Sequence, residues 1–232
     1  MLFRSEKFKK SELEFFHTYK NGHAQYDAFL EDYAYMIEAL LDVYGITFEK
    51  VYIYKAKALM DYVLDNFFDS NDNLFYFTSE KQTDILLRKK DLYDNATPSG
   101  NSTMAKNLQR LGILFDEARY KVLTINMLRA VGEVVERYPS SFAKWASGIL
   151  SLVHAPYEIA VVGKNAFEKV LQINNLFLPN KIVMASVEGD ENLPLLSGRK
   201  TVDTEGDALI YVCQDYACKM PVKTVHEMQK II

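Results

Sequence analysis

The chain has 232 residues, of which 49% are hydrophobic and 25% charged, with a formal net charge of −4. That length can bury a full core in one large domain or two modest ones, and the composition is that of a soluble globular protein. An acidic balance with no basic stripe excludes a nucleic-acid partner, and no apolar run is long enough to cross a bilayer, which excludes a membrane-spanning class.

Fifteen tyrosines, fourteen phenylalanines and one tryptophan suit helices packed in layers or a sugar-binding cleft, core packing being the commoner use of aromatics. The start, Met1 to Lys7, lacks the apolar segment of a signal peptide, so the expected location is cytoplasmic. In that compartment Cys213 and Cys218 are expected as reduced thiols rather than a structural disulfide.

Residues 5 to 13 read as the end of a helix. Phe15-Phe16-His17-Thr18-Tyr19 then runs into Lys20-Asn21-Gly22, and Asn-Gly between aromatic flanks predicts a tight hairpin. From Asp27, a possible cap, Phe29, Tyr33, Met36, Ile37, Leu40, Leu41 and Tyr44 recur at spacings of three and four, the face of a helix that Gly45 ends. A second helix is predicted over 48–67, burying Tyr52, Ala56, Leu59 and Val63. Asp69 to Asn73 is a polar turn, and Leu74 to Thr78 a short strand or extended segment.

The stretch Asp91 to Ser102 crowds polar and turn-forming residues before an apolar helical repeat at Met104, Leu108, Leu111 and Phe115. Thr97 suits the N-cap and Pro98 the first helical position, where proline's missing N–H would be unpaired anyway. The helix start then faces the loop carrying Arg88, Asp91 and Asp94, a setting for a polar or anionic ligand or simply a capped helix behind a solvated loop. Further helices are predicted over 116–137, with Tyr120, Leu123, Met127, Val131 and Val134 inward, and over 139–154, with Phe142, Trp145, Ala146, Ile149 and Val153 inward. Ala155-Pro156 stops the last of these.

Beyond Pro156 the pattern changes. Strands are predicted at 158–163, 181–186 and 208–213, with helices at 165–173 and 221–232, and Glu188 to Asp207 is a loop or flap. Short β-branched strands alternating with helices point to a small, largely parallel α/β unit.

Several motifs, taken in order, resemble a known group: Gly22-His23-Ala24, Phe29-Leu30-Glu31-Asp32-Tyr33-Ala34, Arg88-Lys89-Lys90-Asp91, Ala96-Thr97-Pro98-Ser99-Gly100-Asn101-Ser102, and Ala208 to Cys213 with Cys218 and Pro221-Val222. The chain resembles the C-terminal half of the spermatogenesis-associated protein 20 or YyaL type, in which a thioredoxin-like domain precedes an α/α toroid. The resemblance implies a mainly α fold: a partial (α/α) six-hairpin toroid over residues 1–155, followed by a small α/β domain over 156–232. It implies a six-hairpin glycosidase-like, carbohydrate-related protein, an inference from fold alone. This chain shows no thioredoxin-like domain and no Cys-x-x-Cys, and it covers about half of the toroid. Helix faces left open by a partial ring imply a homo-oligomer or a companion chain.

In toroid enzymes helix starts line the mouth, so Asp32 with Asp91 or Asp94 would supply paired carboxylates for acid–base catalysis on a sugar-like small molecule. Tyr33, Arg88, Ser99 and Asn101 would contact the substrate, Arg88 as a bidentate anion grip. The plainer reading has Asp32 stabilising its helix start and Asp91 pairing with Arg88. His17 and His23 flank the hairpin turn, either as proton carriers or as surface residues; His154 and His226 are structural. No metal site and no cofactor are expected. Cys213 and Cys218 are a redox pair or packed small side chains, and Gly163 is a weak anion pocket. The function is then epimerase, isomerase or glycosidase-like chemistry, or else a non-catalytic interaction module left by loss of the other parts.

Overall fold

The computed structural model describes residues 6–200, 207–214 and 217–232. The predicted hairpin is present: β1 (Phe16–Lys20) pairs antiparallel with β2 (His23–Asp27), Lys20 opposite His23. Asn21 and Gly22 both take positive φ, 52° and 84°, the backbone that a two-residue turn matched to strand twist requires. Residues 6 and 7 close a helical turn, and Lys9 then bridges Phe15 rather than extending that helix.

Helix α1 spans Leu30–Thr47 and α2 Lys50–Phe67. Tyr33, Ile37, Leu40, Leu41 and Tyr44 are buried on α1 as their spacing predicts. Gly45 does not end it; the chain leaves the helix at Phe48, which takes a φ of 56°, the left-handed conformation common after a helix C-terminus. Asp27 does not cap α1 either, because its carboxylate is held by Lys10 Nζ at 2.6 Å. On α2 the buried face runs through Ile53, Ala56, Leu59, Met60 and Val63, with Tyr52 only half-buried. A short hairpin follows, β3 (Phe68–Asp69) with β4 (Leu74–Phe75), closed by the predicted polar turn.

Helix α3 spans Gly100–Leu114 and α4 Ala118–Arg137. A 3-10 turn at Pro139–Ser141 leads into α5, Ala143–Val153. Tyr120, Met127, Val131, Phe142 and Trp145 are buried as expected, whereas Val134 and Val153 are exposed. On α4, Thr124, Leu128 and Val135 take the inward places instead. Burying a Thr inside a helix requires a partner for its hydroxyl, and Thr124 Oγ1 donates to the Tyr120 carbonyl at 2.9 Å.

The remainder is a small α/β unit. Strands β5 (Tyr157–Val162), β6 (Lys181–Ser186), β7 (Leu209–Gln214) and β8 (Ala217–Cys218) form one sheet in the order β6-β5-β7-β8. Helices α6 (Ala166–Asn174) and α7 (Val225–Gln229) accompany it. Only β5 and β6 are parallel, joined through α6; β7 runs antiparallel to β5, and β8 to β7. The sheet is therefore mixed rather than largely parallel, because the connection from β6 to β7 carries no described helix that would return the chain to the same end. Part of that connection, 201–206, lies outside the described residues, and with it part of the expected flap. The last helix is shorter than predicted, since Val222 pairs with Ile210 and Thr224 builds a capping box with Glu227.

The cysteines are not free thiols: Cys213 and Cys218 face each other across β7 and β8 and are joined by a disulfide, with Cα atoms 4.0 Å apart. Their opposition in the β7–β8 register is what brings the two sulfurs within bonding reach. Gly163, instead of shaping an anion pocket, lets two backbones touch: a Cβ there would lie 2.4 Å from Ala208 Cα, and its φ is 141°.

By internal contacts the chain divides into two compact units. Unit one holds the chain to Tyr44, Glu49–Gln109 and Arg119–Ile149; unit two holds Gly45–Phe48, Arg110–Ala118 and the chain from Leu150. The architecture is mainly α with a small α/β part, and among the described residues there are seven α-helices. No helix of the described residues is long and apolar enough to cross a membrane.

Candidate functional site

Three helix starts gather around one loop in unit one. A Cβ on Gly100 would lie 3.0 Å from Leu30 Cγ and 3.2 Å from Glu31 N, so the first turns of α1 and α3 meet, and a glycine lets them. The N-cap of α3 is Ser99, whose Oγ accepts from Ser102 N at 3.1 Å, two residues later than the predicted start. Pro98 lies outside the helix, its carbonyl accepting from the Tyr35 hydroxyl. Asp94 ties the third start in. Its Oδ1 accepts from Ser99 N at 2.9 Å and Ser102 Oγ at 2.6 Å, and its Oδ2 from Lys144 N, in the first turn of α5, at 2.8 Å. One carboxylate thus satisfies orphan donors of two helices and sits at their positive ends.

At the start of α1, Asp32 Oδ2 accepts from Phe29 N at 2.8 Å and lies 2.8 Å from His17 Nδ1. The backbone bond is half of a capping box, made by the third helical residue back to the N-cap. The ring bond reaches β1: a carboxylate only accepts, so Nδ1 carries the proton and Nε2 is the acceptor nitrogen of the neutral ring. The His17 ring packs 4.6 Å from Phe29, which stacks on Phe77 at 4.6 Å. Both His17 and Asp32 line a hollow of about 500 Å³ whose other walls are Phe8, Phe15, Phe16, Tyr19 and Met36. Next to Asp32, the Glu31 carboxyl is raised above its ordinary value, chiefly by burial and then by the charges of Asp32 and Asp91, with His17 acting in the opposite sense. Burial and a neighbouring carboxylate thus favour the protonated form of Glu31.

The other expected residues are placed as follows. Asp91 is exposed, within electrostatic reach of Glu31, and its carbonyl accepts from Asn101 Nδ2 at 2.9 Å. It is not Arg88's partner in any described contact: Arg88 donates to the carbonyls of Thr78 and Asn66 and covers the Tyr76 ring at 4.0 Å. Asn101 is fully buried and pairs twice with Phe75, Oδ1 accepting from its N–H at 2.8 Å and Nδ2 donating to its carbonyl at 2.9 Å. Ser99 is the buried cap. Tyr33 is buried against Phe15, Tyr62 and Phe67. It lines a second, smaller cavity of about 110 Å³ with Lys10, Glu14, Asp27, Tyr62 and Lys81; burial pushes its phenol far above the usual range. The structure pairs Asp32 with His17, places Asp91 within electrostatic reach of Glu31, and leaves Arg88, Ser99 and Asn101 holding backbone.

The pairing of His17 with Asp32 had a signal in the sequence. Side chains alternate along a strand, so Phe15, His17 and Tyr19 share one face. Phe15 is buried, which turns that face inward and carries His17 with it. Among the described residues no cluster of His, Cys, Asp and Glu is arranged to hold a metal.

No family model matches the chain. It is 31% identical over 216 residues to spermatogenesis-associated protein 20 of Rattus norvegicus and 29% identical over 216 residues to the Homo sapiens protein of that name. Each match covers 88% of this chain and 27% of the relative. An uncharacterised Caenorhabditis elegans protein is 26% identical over 218 residues, 91% of this chain and 29% of its own. The chain therefore spans little more than a quarter of the length of the curated relatives it matches, and over that span it is a homologue of the spermatogenesis-associated protein 20 proteins.

Proposed function

We propose that unit one carries out acid–base chemistry on a sugar-like substrate, of the epimerase, isomerase or glycosidase-like kind, in the aromatic hollow beside α1. The observation that carries this reading is the His17–Asp32 pair on the wall of a hollow lined by aromatic rings. Such rings offer flat apolar faces to the C–H faces of a sugar, while the polar edge faces its hydroxyls. His17 takes the proton through Nε2; Asp32 fixes the tautomer and stabilises the imidazolium that forms. Glu31, next to Asp32 on the first turn of α1, adds a carboxyl whose protonated form is favoured by burial and by the charges of Asp32 and Asp91. Arg88, Ser99 and Asn101 act on the site indirectly, by holding the loop and helix starts that frame it. The reading treats unit one as part of an (α/α) toroid in a cytoplasmic protein, which fractionation of a tagged chain checks.

Incubating the chain with a sugar and sugar-phosphate panel in D2O tests the proposal. Proton abstraction at carbon is read as deuterium incorporation by NMR, and hydrolysis as release of reducing ends. Turnover falling at least about a hundredfold in His17→Gln, the usual scale for losing a general base, supports it. Turnover unaffected by that change overturns the assignment.

A second reading, a non-catalytic interaction module, is supported by a different observation. Ile85, Leu86 and Leu87 form an exposed apolar run in the loop before Arg88, and consecutive exposed apolar residues mark partner surfaces. Under this reading the panel is inert and the chain self-associates or takes a companion chain. Replacing Leu86 and Leu87 with Ser then lowers the mass seen by light scattering.

A further inference from the structure

In unit two, one cation touches both sulfurs of the disulfide. Arg199 Nη2 lies 3.1 Å from Cys213 Sγ and 3.7 Å from Cys218 Sγ. The guanidinium packs 4.8 Å from the Tyr211 ring centroid, and its Nη1 is buried with no hydrogen-bond partner among the described residues. An Arg donor with spare hydrogen-bonding capacity, half-buried against a disulfide, is a poor arrangement for a purely structural crosslink, since the neutral sulfur is a weak acceptor. It is a good one for a thiolate. The two sulfurs also differ in access: Cys213 is 2% exposed, whereas Cys218 lies in the exposed strand β8.

We propose that Cys213–Cys218 is a thiol–disulfide exchange site that accepts electrons from a dithiol, with Cys218 Sγ the sulfur attacked and Cys213 Sγ the leaving thiolate received by Arg199. The reductant's first thiolate bonds to Cys218 Sγ as the Sγ–Sγ bond breaks, and the electron pair of that bond stays on Cys213. The reductant's second thiol loses its proton to solvent and attacks the reductant's own sulfur in the mixed disulfide, releasing Cys218 as a thiolate. Two electrons pass to the chain; the dithiol ends as a disulfide, and the released thiolates take protons from solvent according to their basicity. Direction follows from two rules: attack goes to the accessible sulfur, and the better leaving group is the thiolate a neighbouring cation stabilises.

The test uses the full chain. Brief exposure to a monothiol, acid quench, alkylation and peptide mass mapping should place the mixed disulfide on Cys218 and the alkyl group on Cys213. Reduction by dithiothreitol should slow about tenfold in Arg199→Met and recover most of its rate in Arg199→Lys, because leaving-group basicity sets the rate. A mixed disulfide on Cys213, an Arg199→Met rate within about twofold of the parent, or a bond that survives excess dithiol overturns the proposal. If Arg199→Met loses its circular dichroism signature, the mapping in the parent chain decides alone.

Discussion

Asp94 shows how much one side chain can organise. It accepts two backbone N–H groups and one hydroxyl at the starts of α3 and α5, so Asp94→Ala removes the support of two helix starts at once. A loss of about 2–3 kcal/mol is expected in urea unfolding, with Asp94→Asn intermediate because its amide keeps only one accepting oxygen. Glu31 sits at the opposite pole: its folded carboxyl is raised, so the folded state favours the protonated form. The sign follows: below the unfolded carboxylate value the parent and Glu31→Gln should be equally stable. As pH rises through the raised folded value, the parent should fall behind the variant. A melting series from acid to neutral pH checks this, and a parent that gains on the variant over that range would contradict it. Sites that resist ionisation at a stability cost are characteristic of function. The acids at 31, 32, 91 and 94 were all visible in the sequence as loop or helix-start residues. What it did not reveal was which oxygen faces which donor, since the His17 contact crosses 15 residues and depends on the hairpin's face.

Among the elements, legibility followed the strength of the local rule. Asn21-Gly22 fixed the first hairpin, because few backbones suit that dipeptide so well. Helices α1 to α5 were legible from apolar spacing, but their ends and exact faces were not. Gly45 looks like a stop in the sequence, yet a glycine costs only about 1 kcal/mol inside a helix, which packing of Leu40, Leu41 and Tyr44 outweighs. On α2 the inward residue proved to be Ile53 rather than Tyr52, a one-position turn of the helix that periodicity alone does not resolve. The strands of unit two were located closely, whereas the antiparallel placement of β7 depends on a connection with no helical signal. Gly163 is where that sheet leaves no room. Gly163→Ala combines a positive φ with a Cβ 2.4 Å from Ala208 Cα and should cost roughly 3 kcal/mol or more. Proteolysis and denaturant melts should show the damage in segments from Leu150 onward, and a variant as stable as the parent would contradict the close approach.

For the whole molecule, kinship, fold and site speak to different things. The matched relatives are about four times as long as the aligned span, so their complete activity does not transfer through identity alone. The mainly α architecture with its small α/β part names no reaction. The chemistry therefore rests on unit one's own residues. Its sharpest expression is the oriented imidazole on the wall of an aromatic hollow. Calorimetric titration of the chain with free sugars and sugar phosphates asks whether that hollow holds a ligand. At least one should give a saturable heat that disappears in His17→Gln and Asp32→Asn and persists in Arg88→Lys. No saturable heat across the panel, or binding indifferent to His17 and Asp32, would contradict the proposed site.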